Sequence, residues 1–191
     1  MNSHFTVVYD ACVLYSAPLC DLLIRLAMAD IFRARWSDQI HEEWITALLR
    51  NRPDIMGEQL LRRKQLMNSH VRDCLVHGYE YLIPSLNDLP DENDRHVVAA
   101  AIHCHASAVV TKNGKDFPDA VLSRHGIEAL HPDDFILYQF DMYPSAVVQA
   151  ASRQRRALKN SPIAVDDFLD ILLKQGLTQT VDKLRDLKFA L

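Results

Sequence analysis

The sequence predicts an α/β fold in which a central parallel sheet is covered by helices in a three-layer arrangement. Three observations carry that expectation. Short β-branched and aromatic runs alternate with longer helical patterns, the signature of strands joined by crossover helices. The first run, Phe5 to Tyr9, shows no polar alternation and reads as a strand buried on both faces, as strands of parallel sheets are. After about residue 141 no strand-like run remains, and three helical patterns fill the rest of the chain. The expected organisation is a sheet domain over residues 1–140 and a helical extension over 141–191, too short to bury a core of its own.

Each element has a local reason. After the first strand, Ser16 and Pro18 are placed as an N-cap and a first-turn proline, opening a helix through about Asp30. Residues 32 to 36 read as a second strand, and Ser37 caps a helix to about Asn51. Pro53 and Asp54 are expected to open another long helix, to about Val71, and Leu82-Ile83-Pro84 reads as a short strand edge. Asp91 caps a helix through Ala106 with Asp94 in its first turn. Ala108 to Thr111 and Ile127 to Leu130 are strands, a short helix lies around Phe117 to Arg124, and Pro132 starts another. Breaks near Ser161-Pro162 and at Gly176 separate the C-terminal patterns, and there is no internal repeat.

Composition narrows the function classes. The apolar stretches are interrupted by charge well short of the roughly 18 to 20 residues that cross a bilayer, and the first residues do not read as a signal peptide, so the expectation is a cytoplasmic protein with no membrane partner. Cys12, Cys20, Cys74 and Cys104 are widely spaced and read as reduced, mostly buried thiols rather than a disulfide framework or zinc site. A net charge of −4 is not the global footprint of a nucleic-acid binder. Two basic clusters stand out locally: Arg50, Arg52, Arg62, Arg63, Lys64 and Arg72, then Arg153, Arg155, Arg156 and Lys159. Either alone reads as a solvated helix face; a metal site nearby would make it a phosphate-facing surface.

The acids carry the chemistry. Asp10 ends the first strand, Glu43 lies in a helix, Asp91 and Asp94 open another, and Asp116 follows the strand around Val109. Carboxylates gathered at strand ends repel one another unless a divalent cation sits among them. Singly, Asp10 is an ordinary turn residue, and Asp91 and Asp94 are ordinary helix-opening acids. Glu43 borders the apolar stripe of Ile40, Trp44, Ala47 and Leu48, whereas Glu42 points away from it. Other constellations are weaker: Cys20 to Arg25 lies within a helix without an anion cradle, and His103 and His105 face different ways.

Taken together, Val7-Val-Tyr-Asp10, the Glu43-Trp44 helix, Asp91-Glu-Asn-Asp-Arg-His-Val-Val-Ala-Ala-Ala101 and Val109-Val-Thr-Lys-Asn-Gly-Lys-Asp-Phe-Pro118 resemble the four motifs of a PIN domain, in order. The resemblance covers about residues 5 to 140, and the longer layout is similar to VapC-type toxins with an extra helical segment. It implies a PIN-like fold and a metal-dependent ribonuclease with Asp10, Glu43, Asp94 and Asp116 as its acidic quartet. Asn113 departs from the pattern, standing where many members have another aspartate, and Thr111 matches a hydroxyl position expected to bond Asp10 or a water. Mg²⁺ or Mn²⁺ would be held by Asp10 and Asp94, with Asp116 direct or through water, while Glu43 positions or deprotonates the attacking water. Arg95, His96, Arg62 and Arg63 are candidate RNA contacts. The same resemblance implies an RNA substrate, a cognate antitoxin and a homodimer. The alternative is a PIN-like module that binds RNA or protein without cutting.

Overall fold

In the computed structural model, residues 5–158 and 163–191 are described; Lys159 and the Ser161-Pro162 break lie outside them. The first strand, β1 (Thr6–Tyr9), is buried along its whole length, which its β-branched and aromatic residues favour. It pairs in parallel with β2 (Arg33–Arg35) on one side and β3 (Ala108–Val110) on the other, and β3 pairs in parallel with β4 (Glu128–Leu130). The order is β2-β1-β3-β4, with Val8 opposite both Arg35 and Val109. Parallel pairing throughout requires helical crossovers, and those helices cover the sheet.

Between β1 and β2 the chain forms α1 (Ala11–Tyr15) and α2 (Ala17–Ala27). The short α1 was not expected from the sequence. Ser16 and Pro18 do open α2, although the Ser16 hydroxyl makes no cap bond; it donates to Gln175 far along the chain. In α3 (Asp38–Asn51) the Ser37 side chain accepts from Ile40 N at 3.2 Å, the expected cap. The next helix, α4 (Gly57–His70), begins later than predicted, because Pro53 and Asp54 lie in a turn in which Arg52 grips Asp54. Leu82 to Pro84 is a correction of type: Glu80–Ser85 is a 3₁₀ helix, not a strand edge.

A buried polar network locks α3 to α4. Trp44 Nε1 donates to His41 Nδ1 at 3.0 Å, which leaves the His41 proton on Nε2, 2.9 Å from Asn68 Oδ1. Trp36 Nε1 donates to the same oxygen at 2.8 Å. His41 is fully buried, and burial holds its pKa below the ordinary imidazole value.

A 3₁₀ turn (Glu92–Asp94), capped by Asp91, leads into α5 (Arg95–His103), which packs on β1 and β3. After β3 come a 3₁₀ turn (Gly114–Asp116) and α6 (Asp119–Leu122). The C-terminal part is helical as expected: α7 (Pro132–Met142), α8 (Pro144–Ala157), α9 (Val165–Leu173) and α10 (Thr178–Arg185), with Gly176 left-handed at φ 86° in the turn before α10. Asp133 in α7 is buried and serves as the cap of α10 from a distance, accepting from Gln179 N at 2.8 Å and Thr180 N at 2.9 Å. Helix α8 packs on α2, and Gln154 donates to Pro18 O at 2.7 Å.

Candidate active site

The strand order reverses direction between β1 and β3, and in open parallel sheets ligands bind outside the carboxyl ends at such a switch point. Asp10 leaves β1 there, and its backbone N–H donates to Val110 O at 3.1 Å, stitching the two strand ends together. Its carboxylate is 6% exposed. Although Asp10 stands at the N-cap of α1, it makes no cap bond. Instead Oδ2 accepts from Thr111 Oγ1 at 2.7 Å and from the Cys12 thiol at 2.9 Å.

Asp94 repeats that logic. It occupies the N-cap position of α5 without capping it, so its half-buried carboxyl is free to face the other acids. Its pKa is pushed up to about 7, first by burial and then by the charges of Asp10, Asp91, Asp116 and Glu43. Four separate segments of chain thus act electrostatically on one carboxyl. Asp91 spends Oδ1 on Asn93 N and Nδ2, both at 2.9 Å, so it is a local cap. Asp116, in the turn after β3, accepts from the Asn113 side-chain amide.

Glu43 and His96 form a pair: His96 Nε2 lies 2.6 Å from Glu43 Oε1. Glu43 is half-buried while its neighbour Glu42 is exposed, the distinction expected from the helix stripe. His96 itself is 2% exposed, which overturns its expected role as an RNA contact. Residues 96 to 101 are all buried, because α5 lies against the sheet and cannot present this side chain to solvent. Its Nδ1 is buried without a partner.

The other expected RNA contacts fare unevenly. Arg63 is committed inward: its guanidinium lies 4.7 Å from the centroid of Trp44 and donates to the carbonyls of Leu14 and Tyr15 at the end of α1. Arg62 is exposed, lining a groove between α2 and α4 that none of the acids lines. Arg95 is half-buried with an unbonded Nε. Much of the basic clustering is also spent on pairing: Lys64 with Asp38 at 2.7 Å, Arg72 with Asp30 at 4.0 Å, and Arg155 with the carbonyls of Ile163 and Leu191.

Residues 6–115 match the family model described as PIN domain. The chain belongs to the PIN-domain family. A second model, described as VapC50 C-terminal domain, matches residues 132–186. This PIN-domain chain is 41% identical over 102 residues to a Mycobacterium tuberculosis protein named "Putative ribonuclease VapC50"; the match covers 53% of this chain and 59% of that relative. No solved structure gives a significant match.

The donors at the PIN domain's carboxyl edge are oxygens of Asp10, Asp94, Asp116 and Glu43, with the Asn113 amide beside them, a set suited to a hard divalent cation. The cost of keeping these charges together is visible in the raised pKa of Asp94. Among the described residues no three His, Cys, Asp or Glu side chains already converge as a metal cage. Two participants escaped the sequence reading: Cys12, taken for a buried thiol, and His96 as the partner of Glu43. The signal for Cys12 is its position two residues after Asp10; for His96 it is the uniformly apolar Val97 to Ala101 that follows, which marks a buried helix.

Proposed function

We propose that this PIN-domain chain is a divalent-metal-dependent endoribonuclease, the toxin of a toxin–antitoxin pair, that hydrolyses RNA phosphodiester bonds. The observation that carries the reading is the placement of Asp10, Asp94, Asp116 and Glu43 together at the switch point of the sheet, close enough that the other three all act on the half-buried Asp94 carboxyl. The ribonuclease in the relative's name supports the reaction class, and the match of residues 132–186 supports the toxin assignment.

Asp10, Asp94 and Asp116 would hold Mg²⁺ or Mn²⁺, which when bound neutralises the phosphate under attack and acidifies a water. Asp10 would offer it Oδ1, because Oδ2 is already occupied by Thr111 and Cys12. Glu43, steadied through Oε1 by His96, orients the attacking water or takes its proton with Oε2. Displacement at phosphorus is in line and needs no covalent enzyme intermediate. Residues 1–140 carry this chemistry, and the extension from 141 covers α2. An antitoxin would silence the site by laying a basic side chain among the acids, and the working form is a cytoplasmic homodimer.

The test is cleavage of matched RNA and DNA oligonucleotides by the purified protein in Mg²⁺, Mn²⁺ or EDTA, with Asp10→Asn as control. RNA shortened only with metal and only by the parent protein is the expected result. RNA bound equally well in EDTA and never shortened identifies a binding module instead, and equal cleavage of DNA rejects the ribonuclease assignment.

A further inference from the structure

Beyond the acids themselves, the end of β1 contains a hydrogen-bond arrangement that the proposed reaction does not by itself explain. The Cys12 thiol donates to Asp10 Oδ2 at 2.9 Å while accepting from the Lys112 backbone N–H at 3.1 Å. Thr111 Oγ1 donates to the same carboxylate oxygen at 2.7 Å while accepting from Asn113 N–H at 3.0 Å. Each of these side chains has one proton to give, and both give it to Oδ2. Cys12 Sγ and Thr111 Oγ1 also approach each other at 3.4 Å, close enough to link the two donors.

We propose that Cys12 is a positioning residue for Asp10: with Thr111 it saturates Oδ2, fixes the rotation of the carboxylate and leaves Oδ1 as the single oxygen offered to a divalent cation. The inference rests on the metal-dependent reading above. Consecutive amides, Lys112 and Asn113, support the two donors, and both belong to the turn that goes on to carry Asp116. The thiol consequently ties the orientation of the acid on β1 to the loop presenting the acid after β3. Cys12 is suited to this work because its thiol has one proton to donate to Asp10 while its sulfur accepts the Lys112 N–H at the same time. Cys20, Cys74 and Cys104 touch none of the acids in this way: they donate to Met67, Asn68 and Ala101.

Partners of ligand side chains typically account for 10–100-fold in metal affinity. The test is Mn²⁺ titration of the full-length, RNA-free protein by calorimetry, comparing parent, Cys12→Ala, Cys12→Ser and Asp10→Asn, with thermal unfolding in EDTA to confirm folding. Cys12→Ala should weaken Mn²⁺ binding about tenfold while still unfolding cooperatively, and Cys12→Ser, which restores a donor, should lie within about threefold of the parent. Parental affinity in Cys12→Ala, or a serine variant as weak as the alanine one, overturns the inference. The Asp10→Asn arm separates the two levels: if it loses Mn²⁺ while Cys12→Ala does not, only the positioning role fails. If Asp10→Asn binds as the parent does, the metal site itself is wrong.

Discussion

Replacing Asp94 by Asn should stabilise the metal-free protein, and the size of the gain can be worked from the site. The Asp94 carboxyl lies at about 7 in the folded chain against an ordinary value of 3.8. Between those values the unfolded chain has released this proton and the folded chain retains it. Stability is therefore fully present below 3.8, falls as pH rises through the window, and levels off above about 7. Taken at face value the difference is at most about 4 kcal/mol. The group is half-buried, so solvent screening reduces this to about 1–2 kcal/mol. The favourable interaction of a carboxylate with the start of α5 works against the gain and argues for the lower end. No cap bond is lost, since Asp94 makes none.

In a chain of this length that energy corresponds to a rise in unfolding temperature of roughly 2–8 °C. The assay is thermal unfolding of parent and Asp94→Asn in EDTA from pH 4 to pH 8. The gap should be small at pH 4, open as pH rises, and stay constant above about 7. Mg²⁺ should then close it by stabilising the parent alone, since a ligand that binds only the folded state adds about 2.7 kcal/mol at one hundred times its dissociation constant. A gap independent of pH, or Mg²⁺ stabilising both proteins equally, refutes the claim that Asp94 is an uncompensated charge awaiting a cation.

Three further outcomes follow from the geometry. His96→Ala removes the 2.6 Å partner of Glu43 and should lower kcat by about 10–100-fold with little change in KM, measured by single-turnover RNA cleavage, whereas His96→Gln should recover part of the loss. Asp133→Ala leaves the amides of Gln179 and Thr180 without their acceptor and should cost about 2–4 kcal/mol in urea unfolding; a change below about 0.5 kcal/mol would show that α10 is capped by other means. Burial lowers the His41 pKa, so the folded chain binds this proton less readily than the unfolded one, and the associated stability is present above about 6.5 and lost as pH falls through the folded value. Because Asp94 acts with the opposite sign in an overlapping window, the acid-side loss should be clearest in Asp94→Asn, and His41→Gln in that background should flatten it.

The parts of this fold that were legible in the sequence are those whose cause is local. β1 declared itself through an unbroken β-branched run, and Ser37 through its place before an apolar stripe. Asp10, Asp94 and Asp116 were visible because acids at element boundaries are conspicuous and because parallel strands bring their carboxyl ends to one edge. What escaped was non-local or marginal. A five-residue helix such as α1 has too little periodicity to be read, and Pro84 was taken for a strand edge when its neighbours curl into a 3₁₀ turn. Arg63 looked like a surface cation because nothing in its own helix reveals that Trp44 and the end of α1 are waiting for it. The partners of the acids were hardest to see: Cys12 meets Lys112 across the strand pairing, and His96 meets Glu43 between helices far apart in the chain.

Asn113 is better understood beside Asp116 than as a missing acid. An aspartate at this position would bring a further negative charge to a site where Asp94 already registers the repulsion of four others. The amide does the reverse, since its Nδ2 donates to Asp116 Oδ2 and orients that carboxylate. Asp116 and Asp10 then share one feature: each has Oδ2 occupied by a side-chain donor, Asn113 in one case and the Cys12–Thr111 pair in the other. If the proposed cation binds here, the arrangement gives up a formal charge but supplies two carboxylates already held by side-chain donors. Such preorganisation lowers the cost of ordering ligands on binding, so the lost charge need not mean a weaker site.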